Sequence, residues 1–278
     1  MQDAGVFQKG CSSMPDLYDM HTHTNRSFDA EASLAAQCRR AAELGLAGFA
    51  VTDHCDVNVQ SLACSRTTLA AGGADIRRMQ EEAPFSLLQG IELGEPLEDL
   101  PYAEEMLALL PYDYVLGSIH NSPGKPDFYY LDCREIDLDW MLRPYFEELI
   151  KLAEWGQIDA IAHMTYPIRY ITGKYNRKVE LSPYFDLIDQ LFCTMIEKGI
   201  ALEVNSSGLR QGLNAPMPDG RFLRRYFALG GRKIVLGSDA HTTRDLAAGI
   251  PETMALCREI GFTAALTFRR RKAIEYKL

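Results

Sequence analysis

The chain of 278 residues lacks the features that mark several common classes of protein. Its seven cysteines form no C-x-x-C pair, and their odd number excludes a complete disulfide framework, so we expect free thiols and a cytoplasmic protein. There is no basic excess: the formal net charge of -9 argues against nucleic acid as a partner. No apolar run is long enough to cross a bilayer, which argues against a membrane protein. These absences favour a soluble enzyme of small molecules.

Short strand-like runs alternate with longer helix-like segments along the chain. Such alternation predicts a parallel sheet in which each strand returns through a helix, and seven strands in this length favour a closed barrel. We therefore expect one α/β domain, with residues 1–16 as an N-terminal extension. The predicted strands span residues 17–23, 48–53, 86–92, 114–120, 158–163, 201–205 and 233–239.

Two short segments outside the predicted strands carry expectations of their own. Gly72 and Gly73 predict a loop, one of several that would cover a site or contact a substrate. Residues 269–272 read Arg-Arg-Arg-Lys, and in an acidic protein we interpret them as the solvated face of a terminal helix and not as a nucleic-acid patch.

All six histidines lie at or just after predicted strands. His21 and His23 are two residues apart, so on a strand their side chains share a face and can chelate one ion or two adjacent ions. Asp239 and His241 repeat this spacing at the last strand. Because the carboxyl ends of the strands converge in a parallel barrel, we expect these side chains to meet. The other histidines in such positions are His54, His120 and His163.

Glu92 stands inside an apolar run, where an uncompensated carboxylate is costly to bury. A position bridging two metal ions would offset that cost. The alternative is a partly exposed strand residue paired with an arginine. For His120 and His163 the alternative is a hydrogen-bonded core histidine, but core histidines have no reason to occupy only strand ends.

The ordered motifs H-x-H, T-D-H, G-I-E, G-S-I-H, A-H and G-S-D-A-H resemble those of the polymerase and histidinol phosphatase (PHP) metallohydrolase superfamily. The resemblance runs from Tyr18 to the C-terminus and is greatest to the monofunctional histidinol-phosphatase branch. It implies a distorted TIM-like (β/α)7 barrel with two to three divalent metal ions, which could be zinc, manganese or iron. The implied ligand groups are His21, His23, Glu92 and Asp239; Glu92, His120 and His163; and Asp29, His54 and His241. For Asp29 the alternative is a cap of the helix that starts near Ala30.

Several metal ions suit the slow chemistry of phosphate monoesters. A single general acid or base contributes roughly 10²–10⁴-fold, far less than the acceleration that such enzymes reach. Paired ions generate hydroxide and also stabilise the phosphoryl oxygens. Asp239 or His241 would then assist proton transfer to the leaving alkoxide.

Arginines beyond two strand ends are the candidates for binding phosphate. Arg169 and Arg210 have forked guanidinium groups that match phosphate oxygens, and both resemble arginine positions of the histidinol-phosphatase branch; the alternative is surface solvation. Ser118 and Asn205 are further candidates for substrate hydrogen bonds. The sequence departs from the family pattern at Thr165, where relatives place an aspartate, so the pattern leaves the group that binds the substrate's amine unassigned.

These features together predict a metal-dependent phosphomonoesterase that converts L-histidinol phosphate to L-histidinol and phosphate in histidine biosynthesis. One alternative is a PHP phosphoesterase that acts on another small phosphate ester. The other is a non-catalytic, metal-binding regulatory protein. The sequence leaves the oligomeric state open.

Overall fold

The predicted alternation of strands and helices is confirmed over residues 16–58 and 65–278, which the computed structural model describes. The predicted N-terminal extension therefore lies almost wholly outside the described residues. The strands are β1 (Tyr18–Thr22), β2 (Gly48–Val51), β3 (His54–Asp56), β4 (Ser86–Gly94), β5 (Tyr114–Ser118), β6 (Ala160–Ile161), β7 (Ala201–Asn205), β8 (Ile234–Gly237), β9 (Ala264–Arg269) and β10 (Lys272–Lys277). The helices are α1 (Leu34–Leu44), α2 (Arg66–Gln80), α3 (Leu100–Leu109), α4 (Leu138–Trp155), α5 (Tyr166–Ile168), α6 (Phe185–Lys198), α7 (Gly220–Ala228) and α8 (Ile250–Ile260).

Seven parallel strands form a nearly closed barrel in the order β1-β2-β4-β5-β6-β7-β8. The two ends of this sheet meet where Thr22 bridges Ala240 and the Asp239 amide donates to the His21 carbonyl at 2.8 Å. Strand β3 continues the line of β2 after a break, and both pair with the long strand β4. The break places Asp53 between two strands and turns His54 toward the same barrel end as His21.

The hydrophobic core has two parts, one on each side of the barrel wall. The larger part lies between the strands and the surrounding helices. The smaller part fills the barrel with compact side chains such as Ala50, Ala160 and Ala201 around Tyr114. This inner core reaches Phe268 of the β9–β10 hairpin, which covers the amino-terminal end of the barrel. The opposite, carboxyl end is left for the polar side chains.

The expected terminal helix at residues 269–272 is wrong, because this segment is the turn of the β9–β10 hairpin. Arg270 and Arg271 have positive φ angles, as a tight turn requires. The Arg270 amide donates to the Asp113 carboxylate at 3.0 Å, and the Arg271 guanidinium contacts Asp159. The basic run therefore pairs with carboxylates that precede β5 and β6.

The expected loop at Gly72 and Gly73 is also wrong, since both lie inside α2. A Cβ atom on Gly73 would approach Leu110 Cδ1 at 2.8 Å and the amide nitrogen of Gln89 at 3.0 Å, so this glycine lets α2 pack closely. Gly72 has space: its nearest neighbour to an added Cβ would be Arg26 Cγ at 3.8 Å. Of the helices that the structure describes, none is both long and apolar enough to cross a membrane.

The two glycines of α2 give a matched test of this packing. Gly72→Ala should raise the free energy of unfolding by about 0.5–1 kcal/mol, because alanine has the higher helix propensity and finds open space there. Gly73→Ala should give no such gain, because its methyl group must displace the side chain of Leu110. Urea unfolding followed by circular dichroism measures both. A destabilising G72A would contradict the helical assignment.

Candidate metal centre

The nine predicted metal ligands come together at the carboxyl end of the barrel. Most lie at strand ends, whereas Asp29 lies in the loop after β1 and Glu92 lies within the long strand β4. All except Asp29 and His241 are buried. The strand ends bring together residues separated by up to 220 positions, as the barrel architecture requires. The set is His21, His23, Asp29, His54, Glu92, His120, His163, Asp239 and His241.

Glu92 is the centre of this cluster and is fully buried. Its Oε2 atom lies 3.2 Å from His21 Nε2 and 3.4 Å from His23 Nε2. Its Oε1 atom lies 3.3 Å from His120 Nε2 and 3.1 Å from His163 Nε2. No lysine or arginine of the described residues forms an ion pair with this carboxylate. The alternative of a partly exposed Glu92 paired with an arginine is therefore not met, and the compensating charge must come from the histidines or from bound cations.

The first ligand group has the spacing of a tetrahedral metal site. Four ligands at about 2.0–2.1 Å from a tetrahedral ion lie about 3.3–3.4 Å from one another. Besides the two Glu92 contacts, His21 Nε2 and His23 Nε2 are 3.0 Å apart, and Asp239 Oδ1 lies 3.6 Å and 3.4 Å from them. Five of the six distances among these four atoms thus fall between 3.0 and 3.6 Å. The residues present fit a divalent cation.

The second group consists of Glu92 Oε1 with His120 and His163, so one carboxylate is shared between two groups. The predicted bridging role of Glu92 requires such a shared carboxylate, and the role itself stays a prediction. The ring of Tyr166 packs against both histidines, with its centroid 5.0 Å from each of theirs. These three protein ligands leave further coordination positions to groups from the cavity.

The third group is the most open. Asp29 Oδ2 lies 3.1 Å from His241 Nε2 and 3.7 Å from His54 Nε2, and the aspartate side chain is 39% exposed. Asp29 is not the helix cap that the alternative proposed, because the Ser33 side chain accepts from the Ala36 amide at the start of α1. Asp29 instead faces the two histidines that the family pattern pairs with it.

The two acidic ligands of the first group are held in their ionised form. Burial opposes ionisation of Glu92, but the imidazoles of His54 and His21 more than offset it and hold the pKa of Glu92 well below its ordinary value. Burial likewise opposes ionisation of Asp239, and His21 with its neighbours holds the pKa of Asp239 well below its usual range. Ionised carboxylates are the form that binds metal.

The histidines differ in protonation state. Burial, together with the charges of His241 and His54, lowers the pKa of His23 to about 3, so this imidazole is neutral near pH 7. For His21 and His120 burial acts in the same direction, but facing carboxylates outweigh it and raise the pKa well above its ordinary value. In the absence of metal these histidines carry the positive charge that the carboxylates need. Bound divalent cations would replace those protons.

Glu203 is a functional candidate that the sequence reasoning missed. Its side chain is fully buried, and Oε1 lies 2.6 Å from His21 Nδ1. Oε2 accepts from the His163 amide at 2.7 Å and from Asn205 Nδ2 at 3.2 Å. A carboxylate on the outer imidazole nitrogen fixes the ring orientation and leaves Nε2 for the metal. The signal was available, because Glu203 is a carboxylate inside an apolar strand, like Glu92.

Two more carboxylates that the sequence reasoning missed lie behind His120. Glu95 Oε1 accepts from the His120 amide and lies 3.5 Å from its Nδ1. Asp56 Oδ1 lies 3.7 Å from His120 Nδ1 and 3.4 Å from His54 Nδ1. Both are buried, and both contact Nδ1 of His120, opposite to the Nε2 atom that faces Glu92. They therefore orient the His120 ring as Glu203 orients that of His21, whereas Nδ1 of His54 also lies 3.1 Å from Glu92 Oε2.

Asp19 and Asp53 are two further buried carboxylates near the ligands, and the structure shows what each contacts. Asp19 does not touch an imidazole; its carboxylate accepts from the amide and hydroxyl of Ser238, which ties β1 to the end of β8. Asp53 accepts from the Thr24 amide and from the Ser27 hydroxyl. That hydroxyl lies 3.2 Å from His23 Nδ1, so Asp53 acts on His23 through Ser27.

A cavity of about 620 Å³ opens onto the cluster and is lined by Arg169. The Arg169 guanidinium lies over the rings of Tyr166 and Tyr170, with its Nη1 3.8 Å from Asp239 Oδ2. Asp239 adopts a positive φ of 55°, a strained conformation of the kind that collects at functional sites. This turn presents one aspartate oxygen to the histidines and the other to the arginine.

The other predicted substrate residues do not line that cavity. Arg210 Nη2 donates to the Asp239 carbonyl at 2.9 Å, while its buried Nη1 has no hydrogen-bond partner in the part of the chain that the structure describes. Ser118 and Asn205 are fully buried behind the histidines. Asn205 bonds to Glu203 and to Ser207, which uses both ends of its amide. Substrate contacts for these three residues stay predictions, and for Asn205 the geometry favours support of His21.

Comparison with known proteins gives the family. A model of the PHP domain matches residues 19–207, about two thirds of the chain and most of the residues described above. The chain belongs to the PHP domain family. The resemblance found in the motifs of this PHP protein is thereby confirmed.

Relatives of this PHP protein match it over most of its length. A probable histidinol-phosphatase of Deinococcus radiodurans is 28% identical, over 93% of this chain and 99% of its own. One of Thermotoga maritima is 26% identical, over 88% and 93%. Histidinol phosphate phosphatase of Lactococcus lactis, solved with zinc, L-histidinol and phosphate, has a TM-score of 0.79 at 20% identity and covers 93% of this chain and 99% of its own. That similarity shows a shared fold.

Replacing Glu203 tests whether it orients the PHP ligands. Glu203→Gln should weaken zinc affinity by about 10- to 100-fold, because the imidazole of His21 loses its anionic partner. Competition with a chromogenic chelator measures the affinity. Glu148→Gln is the matched control: Glu148 is another buried glutamate, on α4, and its partner is Lys151. Equal zinc affinities for wild type and E203Q would rule out the positioning role.

Proposed function

We propose that this PHP protein is a metal-dependent phosphomonoesterase that hydrolyses L-histidinol phosphate to L-histidinol and phosphate. The observation that carries the proposal is the shared carboxylate of Glu92, with imidazoles on both of its oxygens, beneath a cavity that also holds Arg169. The names of the relatives, and the L-histidinol and phosphate bound by the Lactococcus lactis enzyme, support this substrate. A cytoplasmic location and a role in histidine biosynthesis belong to the same proposal.

Two to three divalent ions would be held by the three ligand groups. The mixture of imidazole and carboxylate suits zinc, manganese or iron, and zinc is the metal in the Lactococcus lactis structure. Such ions supply a water-derived nucleophile at neutral pH and offset the negative charge of the phosphoryl oxygens. The third group, with the exposed Asp29, is the one whose ion should exchange most readily.

Arg169 is the residue best placed to hold the phosphate. Although burial opposes its charge, Tyr170 and Asp239 raise the pKa of Arg169 above its ordinary value, so it is a permanent cation. Stacking on Tyr166 and Tyr170 limits the freedom of the guanidinium before substrate arrives. Arg210 Nη1 has no hydrogen-bond partner among the described residues. It would be a second donor to a phosphate that extends behind Asp239.

Asp239 is the residue best placed to move the proton. Its Oδ1 faces His21 and His23, whereas Oδ2 lies 3.4 Å from the Ser207 hydroxyl and near Arg169. As a water oxygen bonds to phosphorus, the phosphorus–ester oxygen bond breaks and the leaving alkoxide needs a proton. Asp239 Oδ2, the oxygen that does not face His21 and His23, would assist the transfer of a proton to that alkoxide. His241 is less free, because its Nε2 faces Asp29 and its Nδ1 faces the Asp239 carbonyl at 3.0 Å.

Metal removal and a substrate panel test the proposal. Protein stripped by a chelator should lose hydrolysis of L-histidinol phosphate and regain it when zinc or manganese is added back. Preference for a different small phosphate ester would indicate the other PHP phosphoesterase. Metal-replete protein that hydrolyses none of the panel would be a non-catalytic metal-binding protein, and full activity in metal-free protein would refute the metal-dependent chemistry.

Arg169→Ala tests the phosphate-binding role. KM for L-histidinol phosphate should rise by roughly tenfold to hundredfold, because a charge-assisted, bidentate contact is lost. Elemental analysis should find unchanged metal content, since Arg169 faces the outer oxygen of Asp239. Arg134→Ala is the control, because Arg134 is exposed and pairs with Asp132 outside the cavity. A KM equal to that of wild type would exclude this assignment.

A further inference from the structure

One carboxylate of the active-site cavity has no role in the metal centre. The acidic residues that line the cavity are Asp29, Asp56, Glu92, Asp127 and Asp239. Of these, all but Asp127 lie within 4.0 Å of a histidine nitrogen. Asp127 precedes the short helical turn Phe128–Tyr130, in the loop between β5 and α4. It is therefore a carboxylate of the cavity wall that has no histidine partner in the described structure, and Arg169 is a cation that interacts with it electrostatically.

Asp127 is separated from the metal centre by one tyrosine. The Tyr166 ring packs against His120 and His163, and its hydroxyl donates to Asp127 Oδ1 at 3.2 Å. Arg169 lies over the same ring. The cavity thus has an end that would attract anions, at Arg169 and at the cations that the ligand groups would hold, and a carboxylate about one aromatic side chain away. A small substrate with a phosphate and a cationic group would meet both.

The two oxygens of Asp127 are used differently. Oδ1 accepts from the Tyr129 amide at 2.7 Å as well as from Tyr166, so this oxygen caps the turn and holds the tyrosine. Oδ2 has no hydrogen-bond partner among the residues that the structure describes. Thr165, where the family pattern has an aspartate, is buried and faces a different cavity. Asp127 therefore remains the carboxylate available to a substrate cation.

We propose that Asp127 Oδ2 binds the protonated amine of the phosphate ester and so selects amino-alcohol phosphates. This inference rests on the proposed function and names the residue that binds the substrate's amine. The amine is mostly protonated at neutral pH, whereas an imidazole with an ordinary pKa of about 6.5 is mostly neutral, so the carboxylate should favour the amine. Charge-assisted hydrogen bonds of this kind contribute about twice as much as neutral ones.

Asp127→Asn separates this role from the structural one. Asparagine keeps a carbonyl oxygen that can cap the turn and accept from Tyr166, but it lacks the charge. The test uses four esters: L-histidinol phosphate, L-phenylalaninol phosphate, 3-(imidazol-4-yl)propyl phosphate and 3-phenylpropyl phosphate. The first two carry the amine, and the first and third carry the imidazole. For D127N, kcat/KM should fall roughly 10- to 100-fold with the two amine esters and stay unchanged with the other two.

Asp132→Asn is the matched control, because Asp132 lies on the same loop, pairs with Arg134 and does not line the cavity. Calorimetric titration of metal-loaded protein with L-histidinol in the presence of phosphate should show the same loss of affinity without turnover. A loss that follows the imidazole, a loss equal for all four esters, or no loss would each overturn the role of Asp127. If wild type itself does not prefer L-histidinol phosphate, the proposed function fails; if wild type and D127N share one preference, only the role of Asp127 fails.

Discussion

The burial of the Glu92 carboxylate is the constraint on which the rest of the site depends. An ionised carboxylate away from water is costly unless cations surround it, and Glu92 is surrounded by imidazole nitrogens on both oxygens. Imidazoles can provide that charge in two ways, as protonated partners or as ligands that hold metal ions. The five distances of 3.0–3.6 Å among the Nε2 atoms of His21 and His23, Glu92 Oε2 and Asp239 Oδ1 fit the second way, because the ligands of one tetrahedral ion have this spacing.

The barrel makes this arrangement possible because its two ends carry different kinds of side chain. Small side chains and the β9–β10 hairpin fill the amino-terminal end, so the carboxyl end is free to carry polar groups. Behind the ligands, Glu203 contacts the outer nitrogen of His21, and Glu95 and Asp56 contact that of His120. The rings are thereby oriented before any ion or substrate binds, which is the preorganisation that metal-assisted catalysis uses.

The sequence was sufficient to predict the barrel and the convergence of the candidate ligands. It was not sufficient to predict the carboxylates that orient those ligands. The strand ends near His21 and Asp239 could be placed because apolar runs of strand length stop there, and Glu92 could be singled out because a carboxylate interrupts an apolar run. The loop position of Asp29 needed the family pattern, since no periodicity surrounds it. Glu203 was missed although it interrupts an apolar strand as Glu92 does. Helix α2 and the terminal hairpin were missed because the conformations of the two glycines and of the arginine run depend on contacts with residues that are distant in sequence. Only the fold brings those residues near.

The most direct test of this account is the position of the metal ions relative to Glu92. Anomalous diffraction from crystals of the protein grown with zinc or manganese measures that position. The account predicts two peaks that share the Glu92 carboxylate, one beside the Nε2 atoms of His21 and His23 and one beside those of His120 and His163. A structure in which metal is bound but no peak lies within bonding distance of Glu92 would contradict it.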